Sequence, residues 1–184
     1  MRKTLLAVAA LACLALGAPA WADISVDLIA DGGEIGFDAG QVDIDYDGDN
    51  IIVTITTAGP WLFAETHVDM QADAAAVPQK NGNPRPGKFA FDQDDATSVS
   101  PTEHVYTIPC ALTVDEQTVV IAVHAAIEWL EIVGVPDDAL DRPLDDPDDI
   151  LHEETGWGAG SDFTGKNWGM FIVGTYDLDT DDLY

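Results

Sequence analysis

Two short stretches carry chemically capable residues where apolar side chains are the rule. In Glu65-Thr66-His67-Val68-Asp69, strand alternation places Glu65, His67 and Asp69 on one face. In Ala122-Val123-His124-Ala125-Ala126, His124 has Ala122 and Ala126 beside it on its own face, which leaves room for a bulky neighbour. If the two strands are adjacent, two imidazoles and the Glu65 carboxylate make a set suited to Zn²⁺ or Cu²⁺. The preferred reading is a pair of core histidines satisfied by Glu, Thr or backbone groups, with the metal set as the alternative. His104 and His152 fall near loops and carry less weight. The chain has no H-E-x-x-H, no G-x-S-x-G and no Cys–His pair, so the usual hydrolase signatures are missing and a non-enzyme is expected.

A second set is acidic. Asp43-x-Asp45-x-Asp47-Gly48-Asp49 opens like a calcium loop, but the twelfth position is Thr54 rather than Glu. No helices are predicted around it. Asp43, Asp45 and Asp47 share the solvent face of a hairpin, where with Asp49 they could hold Ca²⁺ loosely or form a solvated acidic surface. Gly160-Ser161-Asp162-Phe163-Thr164-Gly165-Lys166-Asn167 has the spacing of a phosphate loop, yet Asn167 replaces the Ser or Thr that would reach Mg²⁺. A strand is predicted to follow it rather than a helix, so that reading is rejected.

The few cations stand out against this background. Lys80, Arg85 and Lys88 cluster in a Pro/Gly/Asn loop, and Lys166 sits in Gly-Lys-Asn-Trp. Such residues either pin loops by salt bridges or hold a carboxylated or sulfated glycan. The tryptophans read mostly as core; among them Trp157, which lies between glycines, is the best candidate for an exposed platform that stacks on sugar. The candidate ligand-binding set is therefore Trp157, Lys80, Asn81, Lys166, Asn167 and Trp168.

The elements that must position these residues read as short strands. Ile24–Ala30 and Gln41–Tyr46 alternate, Asp47-Gly48-Asp49-Asn50 has turn chemistry, and Ile51–Thr57 is β-branched. Gly59-Pro60 turns the chain into the strand that holds His67. Gln117–Ala126 reads as a central strand buried on both faces, with an extended continuation to Val133. Residues 156–160 read as loop, and residues 177–184 as a frayed acidic tail. The pattern predicts an all-β chain forming a single antiparallel β-sandwich, jelly-roll and immunoglobulin-like topologies both remaining open.

Residues 1–22 read as a signal peptide: Arg2 and Lys3, an apolar run from Thr4 to Leu16, then Ala20-Trp21-Ala22. A lipoprotein acylated at Cys13 is the alternative, disfavoured by Ala10 three positions earlier. Residues 23–184 then form one domain, interrupted by an acidic excursion at 136–150. The expected location is secreted or periplasmic, with no membrane insertion after cleavage. Cys110 cannot pair internally and reads as a small buried hydrophobe. All 34 acids but only five of the seven bases lie after the leader, a net charge of −29. That excludes nucleic acid and anionic lipid as partners and suits a saline habitat.

Taken in order, Trp61…Glu65-Thr66-His67, Lys80-Asn81-Gly82-Asn83-Pro84…Pro86-Gly87…Phe89, Tyr106-Thr107-Ile108-Pro109, Ala122-Val123-His124-Ala125, Glu154-Thr155-Gly156-Trp157-Gly158 and Gly165-Lys166-Asn167-Trp168 resemble a family of uncharacterised extracellular β-rich proteins. The resemblance spans about residues 41–176 and implies fold and location but no activity. The acidic stretch 136–150 and the lack of cysteine pairs depart from it. The expectation is a secreted, non-enzymatic binding or structural module, for a glycan or a cell-surface partner, with Ca²⁺ as a candidate cofactor. The alternative is a metal-binding protein or metalloenzyme using His67, His124 and Glu65.

Overall fold

The computed structural model describes residues 24–31, 36–131, 150–177 and 182–184. Residues 1–22, read as a signal peptide, and nearly all of the acidic stretch 136–150 lie outside them. Among the described residues there is no α-helix, and no helix is long and apolar enough to cross a membrane. Fourteen strands follow in chain order: β1 (Ile24–Ala30), β2 (Phe37–Tyr46), β3 (Asn50–Thr57), β4 (Leu62–Gln71), β5 (Gln79–Lys80), β6 (Asn83–Pro84), β7 (Phe91–Asp92), β8 (Ser98–Ser100), β9 (Glu103–Pro109), β10 (Gln117–Glu131), β11 (Ile150–Gly158), β12 (Ser161–Asp162), β13 (Met170–Asp177) and β14 (Asp182–Leu183).

The main sheet runs β12-β13-β10-β11-β1-β2-β3-β9-β8, with β4 added along the other edge of β10. Every pairing given for it is antiparallel. The sheet curls until its two ends meet. Phe63 of β4 donates its N–H to the carbonyl of Pro101 at 2.8 Å, beside the β8–β9 turn. The layers β2-β3-β9 and β4-β10-β13 thus face each other as a β-sandwich, as the alternation predicts. Between them lie Val42, Ile44, Ile51, Val53, Ile55, Val68, Tyr106, Ile121, Val123 and Ile127, all at most 2 % exposed. Each such aliphatic side chain contributes roughly 1.5–3 kcal/mol through removal from water.

Strand β10 is the organising element. Along one edge it pairs with β4 over Val120–Glu128. Its other edge is shared, with β13 over Gln117–Ile121 and β11 over His124–Glu131. Val119, Ile121, Val123, Ala125 and Ile127 face the main core. Val120 and Ala122 face outward, into a second apolar cluster with Val77, Phe89, Trp157 and Phe163. Two loops cover that outer face, so β10 is buried on both sides, as its apolar composition demands.

Three expectations are corrected. Residues 156–158, read as loop, belong to β11. Gly158 lies close against the core, where a Cβ would stand 3.0 Å from the end of the Ile172 side chain. The chain end is not frayed: β14 pairs with β13, Tyr184 and Thr175 exchange backbone hydrogen bonds of 2.7 and 3.0 Å, and Leu183 is buried. The Pro/Gly/Asn loop contains a small hairpin, β5–β6, turning through Asn81 and Gly82, both at positive φ.

Candidate functional site

The outer face of β4-β10-β11 is a register-built surface. His67 lies opposite His124, Glu65 opposite Ala126 and Asp69 opposite Ala122. On the far side of β10, His124 lies opposite Trp157, Ala126 opposite Thr155 and Glu128 opposite Glu153. One row across three strands is therefore His67–His124–Trp157. The two imidazoles are 5.5 Å apart, centroid to centroid, at 47°. His124 meets the Trp157 indole edge-on at 5.0 Å. Ala122 and Ala126 make room for these rings.

The histidines are held unequally. His67 is 6 % exposed, and its Nε2 is 3.3 Å from Glu65 Oε1. The Nδ1 atoms of both His67 and His124 are shut from solvent without a hydrogen-bond partner. Burial, and then the neighbouring His67, push the His124 pKa down to about 4, so its imidazole is neutral at ordinary pH. Asp69, on the same face, is otherwise engaged. Its carboxylate accepts from Gln71 Nε2 at 2.7 Å and from the Ala90 N–H at 2.9 Å, and so pins the covering loop.

Next to this row the same face opens into a trough of about 680 Å³. Ala64, Ala126 and Thr155 lie along it, Glu128 and Glu153 supply carboxylates, Asp31 and Glu154 border it, and Trp157 and Trp168 close one end. Small residues on three adjacent strands leave the depression, and the tryptophans form its apolar wall.

Trp157 follows the core reading and is not the exposed platform for which it is the best candidate by sequence. It is 3 % exposed and packs edge-on against Phe89 and Phe163. Flanking glycines suggested a loop, but here they admit close strand packing. Trp168 is half-buried, while Lys80, Asn81, Lys166 and Asn167 are exposed. The loops carrying these four do converge. Gly165 donates its N–H to Gly82 O at 2.9 Å, and Asn167 donates its N–H to Asn83 Oδ1 at 2.7 Å. A Cβ on Gly82, already at φ +78°, would stand 2.6 Å from Thr164 Oγ1. Backbone groups and Asn83 clasp the loops, and among the described residues no lysine salt bridge joins them. The clasp brings Trp168 to the trough.

The acidic turn is tied up locally. Asp47 accepts from the N–H groups of Asp49 and Asn50 at 3.0 and 2.7 Å, which holds its carboxyl below the usual range. Asp43 accepts from the Ser25 hydroxyl at 2.6 Å. Among the described residues, no group of three or more His, Cys, Asp or Glu converges as a metal cluster, and that covers Asp43, Asp45, Asp47 and Asp49. Cys110 is half-buried, and burial pushes its thiol pKa up, consistent with an unreactive side chain.

Sequence reasoning missed one polar network. Thr66 Oγ1 lies 2.7 Å from His104 Nδ1 and 2.6 Å from Tyr106 Oη, all three buried in the main core. A Tyr106 hydroxyl donating to Thr66, which donates to His104, satisfies the set. Burial depresses the His104 pKa and raises that of Tyr106 to about 12. The signal was available. Alternation turns Thr66 inward, and it puts His104 and Tyr106 together on the inner face of β9.

Comparison with models of protein families, with curated proteins and with solved structures finds no match to this chain. The ordered motif set therefore rests on its residues alone.

Proposed function

We propose that the protein is an exported, non-catalytic binding module that takes a neutral glycan in the trough over Ala126 and Thr155. The trough itself, with carboxylates along an apolar floor and Trp168 at one end, carries this reading. Ionised carboxylates only accept hydrogen bonds, and sugar hydroxyls supply the matching donors. A half-buried indole offers an apolar face to the C–H side of a sugar ring. The net charge of −29 repels carboxylated and sulfated glycans, which turns the ligand class from anionic to neutral. The basic start and apolar run of residues 2–16 support export. No calcium is invoked, since Asp47 is committed to its turn and Asp43 to Ser25.

Titration with neutral oligosaccharides, followed by tryptophan emission and thermal melting, tests the reading. A ligand at 100 times its Kd stabilises the fold by about 2.7 kcal/mol. A saturable rise in Tm with neutral sugars is expected. No response to them, or a response confined to anionic sugars, overturns the proposal.

A further inference from the structure

We propose that His67 and His124 form a two-imidazole site for a late divalent transition ion, with Cu²⁺ bound ahead of Zn²⁺. The site lies beside the trough and is independent of the glycan reading. Two observations carry it. The first is geometric. Imidazoles sharing one tetrahedral ion at metal–nitrogen distances of about 2.0–2.1 Å hold their centroids about 5–5.5 Å apart. The observed separation is 5.5 Å, imposed by direct cross-strand pairing of His67 and His124. The second is the hydrogen-bond deficit. Both Nδ1 atoms are buried without a partner, and the His67 side chain is only 8 % exposed. A buried, unpaired polar atom costs on the order of 1–3 kcal/mol. A metal ion would satisfy both nitrogens at once.

Glu65 sets the tautomer. With Oε1 at 3.3 Å from Nε2 of His67, the carboxylate favours the proton on Nε2 and leaves the Nδ1 lone pair available. Glu65 is thus a positioning residue. The set has no third protein ligand, in keeping with the absence of a larger cluster among the described residues, so water completes the coordination. Neutral imidazole is a good ligand for copper and zinc, and affinity rises toward Cu²⁺ in the divalent series.

Isothermal titration of the full chain with Cu²⁺ alone and with Zn²⁺ alone, in molar NaCl to suppress loose binding by surface carboxylates, tests the site. One ion per chain is expected, with Cu²⁺ tighter. His67→Gln and His124→Gln should each weaken binding at least 100-fold, and Glu65→Gln about 10-fold. Circular dichroism melts confirm that each variant folds. Should either histidine variant unfold, paramagnetic resonance of Cu²⁺ on the wild type decides: hyperfine structure from two imidazole nitrogens is expected. Many weak sites, no binding, an all-oxygen spectrum, or full affinity in both folded histidine variants would overturn the proposal.

Discussion

His67 and His124 stand directly opposite one another on neighbouring antiparallel strands, with ring centroids 5.5 Å apart. The pairing shuts both Nδ1 atoms away from water and sets His124 edge-on against Trp157. A buried, unsatisfied pair at the centre of a strand junction is costly to the fold. It is also the part of the outer face where a response to pH and to metals is expected.

The pH response has a definite sign. His124 is neutral in the fold, with its pKa pushed down to about 4 from 6.5. Between those values the unfolded chain binds the extra proton. The stability from a neutral His124 is therefore whole above about pH 6.5 and is lost as pH falls through about 4. The full shift corresponds to about 3 kcal/mol. His67 and Trp157 are the rings facing His124. Urea titrations at pH 7 and 4.5 should show the wild type losing about 2–3 kcal/mol more than His124→Gln. Equal losses would contradict this account of the pair.

The core network makes a second claim. Thr66→Val preserves shape but strips His104 Nδ1 and Tyr106 Oη of their shared partner. The substitution should cost about 2–3 kcal/mol, seen as a lower urea midpoint at unchanged m. A loss below about 0.5 kcal/mol would show that the hydroxyl is dispensable.

Charge repulsion supplies a third. Residues 23–184 carry a net charge of −29, so the folded chain should gain from screening. Each ~1 kcal/mol of relieved repulsion raises Tm by about 2–4 °C in a domain of this size. Calorimetry from dilute buffer to molar NaCl should show a steady rise in Tm. An unmoved Tm would mean that the acidic surface is already neutralised by internal pairing.

The parts of this structure that could be read from sequence are those governed by strand alternation. It placed Glu65, His67 and Asp69 on one face and opened a space beside His124, and the two strands do meet. It also marked β2–β3 as a hairpin. What could not be read depends on neighbours distant in the chain. Gly156 and Gly158 look like loop until Leu28 and Ile172 are seen against them. Trp157, set among glycines, shows no covering neighbours until Phe89 and Phe163 are seen around it. The trough escaped notice because its floor is made of Ala64, Ala126 and Thr155, small residues that acquire meaning only side by side on three strands.

The central claim is that the outer face of β4-β10-β11 binds the ligand and the lysine-bearing clasp does not. A glycan array comparing wild type, Thr155→Trp and a Lys80→Ala/Lys166→Ala double variant addresses it most directly. Thr155 is exposed in the trough, so a bulky side chain there fills the site without entering the core. Wild type and the lysine variant are expected to bind neutral glycans equally, and Thr155→Trp to lose at least 10-fold. Loss of binding in the lysine variant with Thr155→Trp unaffected, or no binding by wild type, would contradict it.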